Sequence, residues 1–408
     1  MNQFQHELQT LNLNDYQTGN VVYWDQQQSQ YPYYYIQDDA RRCGGCGGCG
    51  GRCGGCGGGR CGGCGGRCVD LYTYEKLISW VENIKEKNQS SAAALCIIKD
   101  NKIVLEHYSG YHSNTSTSKK VTAPSQFNVA SARKSYLGLI IAYALYEGKI
   151  NSIDDEAIKY FKDFDPVLLG KTTIRHLVTH SHGLEETNDG TIFREFEPGQ
   201  SWAYRDINVR MMTRLIYQLY NKSFPELLKE RVFKPAKFQE TGWRIQQDEN
   251  LVEIINNPNE DPISGIGTVN DGTEKNLFVS AREFAQWGNL HLNQGMIHDK
   301  QIVPKEVIKI ATSLQSPTFI NKELPQNGVF WFIQNEPAQL SELGERIPKG
   351  SYQILGITGP TILVIPEYNV VVAKMYNKRY NYGGDNYLYY LREFSNLVAD
   401  TFSNRIRA

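Results

Sequence analysis

An excess of charge of either sign is missing from this 408-residue chain: 43 Lys+Arg stand against 44 Asp+Glu, a formal net charge of -1. Neither nucleic acid nor an anionic membrane surface is therefore expected as its main partner. No stretch approaches the ~18 apolar residues of a membrane span, and Met1 to Thr10 lacks a basic segment followed by an apolar run. With no signal for anchoring or secretion, a cytoplasmic location is the expectation. Cysteine is almost absent outside one block: eight of nine lie between Cys43 and Cys68, leaving Cys96 alone in the other 382 residues. In a reducing compartment such thiols read as free, metal-bound or modified rather than as disulfides. No G-x-S-x-G occurs, so the nucleophile elbow of the α/β-hydrolases is not supported.

Three segments follow from composition. Residues 1–42 hold nine glutamines and six tyrosines but no lysine, without sustained periodicity, and read as a disordered or weakly structured tail. Residues 43–68 contain only cysteine, glycine and arginine; glycine at that density carries a backbone entropy cost that no buried side chain offsets. Residues 69–408 have an ordinary mixed pattern. A helix over Tyr72 to Glu86 leads into the apolar run Ala92 to Ile98, a turn at Asp100-Asn101 and a second run Ile103 to His107. An amphipathic-to-buried helix is predicted from Ser131 to Tyr146, stopped by Gly148, and a second hairpin over Thr361 to Ile365 and Val370 to Met375. The last helix runs from Tyr387 to Phe402. The expected fold class is α+β: an antiparallel sheet flanked by N- and C-terminal helices, with a mostly helical insertion between Ser131 and about Val303.

The chemistry centres on Ser131-Ala132-Arg133-Lys134, an S-x-x-K at a predicted helix start. Three residues of helix put Lys134 on the face of Ser131, so the amine can reach the hydroxyl. The helix dipole there favours negative charge developing beside the serine, and a desolvated lysine has a lowered pKa suited to a base. Further stretches follow in order: Thr173 to Leu184, Pro198 to Asp206, Ser280 to Ala285, and Gly356-Ile357-Thr358-Gly359 ahead of Ile365-Pro366-Glu367. Together with Phe127 to Ser135, they resemble the serine β-lactamase and penicillin-binding-protein-like family, in particular its esterase and 6-aminohexanoate-oligomer hydrolase branches, over roughly residues 80–400.

The resemblance implies Ser131 as nucleophile, Lys134 as base and Tyr204, at the tyrosine of the family's Tyr-x-Asn motif, as proton shuttle. It also implies an oxyanion hole from the backbone N-H groups of Ser131 and Ile357, and a substrate pocket including Asp206, Thr358 and Gly359; Trp331 stands where the family often has an aromatic near the acyl pocket, and both core packing and pocket lining are open for it. Two departures matter. Asp206 replaces the motif's Asn, which opens the charge state of Lys134 to question. Ile357 replaces the Lys or His of the third motif, removing the usual partner of a substrate carboxylate. The expected substrate is therefore a small neutral ester or amide, with no cofactor. Loop stretches Glu185 to Gly190 and Trp243 to Lys275, with Thr187, Trp243 and Asn270, are expected to shape its binding.

Two features stay open at this stage. His176, His180 and His182 form H-x-x-x-H-x-H, whose first pair has a metal-ligand spacing; the same stretch matches a structural segment of the family. Cys43, Cys46, Cys49, Cys53, Cys56, Cys61, Cys64 and Cys68 could fill two zinc sites. The block also resembles the Cys/Gly-rich part of precursors of thiazole-containing peptides, which implies a modifying enzyme as partner, and its bland reading is a linker. A rival to the hydrolase reading is a catalytically degenerate scaffold carrying that arm.

Overall fold

The computed structural model describes residues 67–406, apart from 188, 258 and 380–386. The tail, the Cys-Gly-Gly residues Cys43, Cys46, Cys49, Cys53, Cys56, Cys61 and Cys64, and the three readings of that block lie outside the described residues. Cys68 falls in the first turn of helix α1 (Arg67–Asn88), which starts five residues before the predicted Tyr72.

The expected α+β architecture is present. Strands β1 (Ala92–Lys99) and β2 (Lys102–Gly110) form a hairpin whose turn residues, Asp100 and Asn101, have φ of 52° and 64°. Two left-handed residues in a two-residue loop match the right-handed twist of the flanking strands, and Asp-Asn tolerates them. In chain order there follow β3 (Gln126–Asn128), α2 (Lys134–Tyr146), and the side hairpin of β4 (Leu184–Glu186) and β5 (Ile192–Arg194). Next are α3 (Ile207–Tyr220), β6 (Thr241–Trp243), β7 (Leu277–Ser280), α4 (Ala281–Leu292), a small hairpin of β8 (Met296–Ile297) and β9 (Lys300–Gln301), and α5 (Lys305–Thr312). The chain closes with β10 (Phe332–Ile333), β11 (Tyr352–Leu355), β12 (Thr361–Ile365), β13 (Val370–Tyr376) and α6 (Tyr387–Ile406).

The main sheet is antiparallel in the order β10-β11-β12-β13-β1-β2, so the two predicted hairpins meet through β1 and β13, with Cys96 opposite Ala373. Strand β1 reads as an unbroken apolar run because both of its faces are covered. Ala92, Ala94, Cys96 and Ile98 join a core with α2 and α4; Ala93, Leu95 and Ile97 join a second core with α1 and α6. In that second core Leu77, Trp80, Val81 and Ile84 of α1 meet Leu391, Phe394, Val398 and Phe402 of α6. Each such side chain contributes about 1.5–3 kcal/mol on burial. That explains why the two terminal helices cover one face.

The insertion is not only helical: β3, β7 and β6 form their own three-stranded sheet. Helix α2 is buried on all sides from Lys134 to Ala144, where an amphipathic start was expected. It runs through the middle of the helical layer, packed by α3 and α5, so no face of it meets water before its last two residues. Among the described residues no helix is long and apolar enough to cross a membrane.

Candidate active site

Ser131 lies in a single 3-10 turn, Ala130–Arg133, between β3 and α2. The predicted helix start at Ser131 is thus corrected: the α-helix begins at Lys134, and the turn before it is tighter. At three residues per turn, positions i and i+3 eclipse, so the same-face relation of Ser131 and Lys134 survives the correction. The turn begins under strain, since Ala130 has φ 44°, a left-handed conformation that costs a non-glycine residue about 1 kcal/mol or more. Asn128 secures it. Its Oδ1 accepts from the Ala130 N-H at 2.9 Å, and its Nδ2 donates to the Lys275 carbonyl at 2.9 Å.

Lys134 Nζ donates to the Tyr204 hydroxyl, and the Ser131 side chain acts on the same phenol. Lys134 is 1% exposed, and burial lowers its pKa to about 7 against the opposing pull of Asp206. Burial raises the Tyr204 phenol well above its ordinary value, with the Ser131 side chain acting the other way. At neutral pH the phenol therefore keeps its proton while the amine is free to accept one. Behind Tyr204 the His180 ring stacks at 4.7 Å and 22°, and its Nδ1 accepts from the Asn208 amide at 3.2 Å. Burial holds that imidazole neutral, far below its usual pKa.

Asp206 stands between two lysines: Oδ1 is 3.6 Å from Lys134 Nζ, and Oδ2 is 2.5 Å from Lys275 Nζ. Burial alone would raise its pKa, but Lys275, Lys134 and Arg133 outweigh that and hold the carboxyl well below the ordinary range. Burial likewise lowers Lys275 to about 8, opposed by Asp206.

The third motif reaches this site by a close backbone approach. A Cβ on Gly356 would stand 2.2 Å from the Val129 carbonyl oxygen, so only glycine lets the end of β11 cross the turn before Ser131. Thr358 Oγ1 donates to the Asn128 carbonyl at 2.8 Å. Between these two anchors lies the half-buried Ile357.

Several expected pocket residues are placed elsewhere. Thr358 is buried with its hydroxyl engaged by Asn128, which makes it a clamp rather than a pocket wall. Gly359 is buried too, its φ of 108° turning the chain toward β12. Trp331 is fully buried, its ring 5.0 Å from His291 and 5.2 Å from Tyr352; it fills the core behind α4 and β11. Trp243 is also core, edge-on to Phe224 at 5.1 Å. The three histidines have separate partners. Thr173 N-H donates to His176 Nδ1, His180 meets Asn208, and Leu184 N-H donates to His182 Nδ1. Among the described residues no group of three or more His, Cys, Asp or Glu could hold a metal.

Lys275, Asn128 and His180 were not singled out for the site from the sequence. Lys275 had a signal only once the strand register is known. Asn128 pairs with Phe278 in the β3-β7 ladder, Val129 N-H donates to the Leu277 carbonyl, and Asn128 Nδ2 reaches the Lys275 carbonyl, which brings the chain just before β7 beside the turn of Ser131.

Residues 77–395 match the family model described as beta-lactamase. The chain belongs to the beta-lactamase family. It is a serine hydrolase of the general acyl-transfer and hydrolysis kind that family comprises. An uncharacterized protein of Alkalihalophilus pseudofirmus is 43% identical to this beta-lactamase-family chain over 325 residues, 80% of this chain and 95% of the other. A D-aminopeptidase of Brucella anthropi is 25% identical over 183 residues, 39% of this chain and 34% of the aminopeptidase; the match spans about a third of that enzyme. Among solved structures, EstCE1, a hydrolase with promiscuous acyltransferase activity, has a TM-score of 0.64 at 15% identity, covering 80% of this chain and 99% of its own. A class C beta-lactamase in complex with cefoxitin has a TM-score of 0.66 at 13% identity, covering 81% and 99%. At such identities the likeness is one of fold. A second family model, for bacteriocins of the heterocycloanthracin/sonorensin family, matches residues 1–73.

Proposed function

We propose that this protein cleaves a small neutral ester or amide through an acyl-enzyme on Ser131. The observation that carries the reading is one phenol, Tyr204, hydrogen-bonded to the buried Lys134 and near enough to Ser131 for that side chain to act on it. Neutral Lys134 takes the phenolic proton as the phenol takes the serine's, and Ser131 Oγ attacks the carbonyl carbon. The N-H groups of Ser131 and Ile357 hold the oxyanion. Tyr204 then returns the proton to the leaving oxygen or nitrogen, and water, deprotonated along the same path, releases the acid. This chemistry needs no cofactor. Ile357 in place of a third-motif cation supports a substrate without a carboxylate at that point. Treatment of the full-length protein with a fluorophosphonate probe is expected to label Ser131, and Ser131→Ala to abolish labelling; undiminished labelling of the variant would sink the assignment.

We further propose that residues 1–73 form a peptide-like arm whose cysteines are substrates for a modifying enzyme. The match to a bacteriocin family model over those residues supports this, together with the Cys-Gly-Gly composition of 43–68. Intact mass of the protein from its native host is expected to fall short of the sequence mass by about 20 Da per modified cysteine, one water and two hydrogens each. An unshifted mass counts against the arm reading and leaves the hydrolase reading untouched.

A further inference from the structure

We propose that Lys275 is a positioning residue for the base: by holding one oxygen of Asp206, it keeps that carboxylate from locking Lys134 in the charged form. The inference rests on the Ser131-Lys134 reading above. A carboxylate at the third position of the Tyr-x-Asn motif poses a problem that asparagine does not. An opposite charge beside an amine raises its pKa by about one to three units, and a protonated Lys134 cannot accept the proton of Ser131.

Here the carboxylate has another partner, and a nearer one. Lys275 Nζ is 2.5 Å from Oδ2, while Lys134 Nζ is 3.6 Å from Oδ1. The arrangement is built into the backbone rather than left to a mobile side chain. Lys275 stands two residues before β7, the strand that pairs with β3, and Asn128 Nδ2 fastens its carbonyl at 2.9 Å. Lys275 itself is 22% exposed, so its charge is partly solvated in a way that the charge of Lys134 is not.

The remaining groups around Lys134 do not replace this function. Arg133, from the same turn, adds positive charge that also disfavours the protonated amine. Arg205, next to Asp206 in sequence, is engaged by Glu185 and Glu195. His180, from the loop behind Tyr204, stays neutral, and Glu342, from the loop before β11, acts on Tyr204 and is itself raised to about 8 by burial. Asp206 is thus the carboxylate nearest the base, and Lys275 is the cation that shares it. The low pKa of Lys134 is the outcome expected of that sharing.

The test is the pH dependence of Ser131 acylation by p-nitrophenyl acetate, followed as the burst of p-nitrophenol on the full-length chain. A neutral base gives a rate that falls as pH drops through its pKa, so the acid limb reports Lys134. In Lys275→Met this limb is expected to move up by about one pH unit, giving a rate about tenfold lower at pH 6 and little changed at pH 9.5. Lys275→Arg keeps the limb in place. Asp206→Asn moves the limb to lower pH, and Lys275→Met adds nothing in that background. A loss of equal size at every pH, an unmoved limb, or the same displacement with Asn at 206 overturns the proposal. Should Lys275→Met not fold, an Asp206→Asn limb that fails to move down overturns it as well. Absence of any acid limb in the unaltered protein overturns the base role of Lys134, and so the proposed mechanism, a result distinct from the others.

Discussion

Lys134→Met is expected to lower kcat/KM for an activated ester by about a thousandfold, within the range of about 10² to 10⁴ that a general base supplies, while raising Tm. The two effects have one cause. Lys134 is 1% exposed and its pKa falls from 10.5 to about 7 because burial penalises the ammonium. For a basic group, a folded pKa below the unfolded one means the folded state binds the proton less well. Stability is then undiminished above pH 10.5, falls as pH drops from there to about 7, and stays reduced below. Methionine fills similar volume without that penalty, and Asp206 keeps Lys275 as its partner. A melting curve and a steady-state assay on the same preparation check both effects. Unchanged activity would remove the lysine from the mechanism, and a lowered Tm at pH 7 would mean its amine stabilises the fold more than its desolvation costs.

The second large effect is expected at Gly356. A methyl group there meets the Val129 carbonyl oxygen at 2.2 Å, well inside contact distance, and that oxygen is backbone and cannot swing aside. Gly356→Ala therefore has to push the end of β11 away from the turn that carries Ser131, taking the Ile357 N-H with it. Loss of one oxyanion donor costs about 10² to 10³ in rate, and a misplacement of about 1 Å about 10². The expected result is a loss of about a hundredfold or more in kcat. The acid limb should stay where it was, because Lys134, Tyr204 and Asp206 sit on other elements. A moved limb with unchanged kcat would place the Gly356 contact on the wrong side of the chemistry.

Local signals in the sequence carried the parts of the fold that depend on neighbours. The hairpins at 92–110 and 361–376 follow from apolar runs around turn residues able to adopt positive φ, and Asp100 and Asn101 do adopt it. The candidate pair Ser131 and Lys134 rests on a spacing of three, which keeps two residues on one face in a 3-10 turn as it would in an α-helix. What was not legible depends on register or on the filling of volume. Lys275 meets Asp206 across 69 residues, a contact no single segment contains. Trp331 and Trp243 are apolar and aromatic whether they line a cleft or fill a core, and only the packed neighbours distinguish the two. Thr358 could have faced a substrate, but its hydroxyl closes a backbone contact formed by segments 230 residues apart.

Cys96 has a use in experiment that follows from its place at the centre of β1. Its thiol is fully buried in the core that β1 shares with α2 and α4, and burial pushes its pKa far above the ordinary thiol value. Alkylating and oxidising reagents act on exposed thiolates, so the folded hydrolase is silent toward them. Thiol titration of the native full-length chain thus reports on residues 43–68 without background from the catalytic body, and the same sample can be assayed for hydrolysis while those cysteines are blocked.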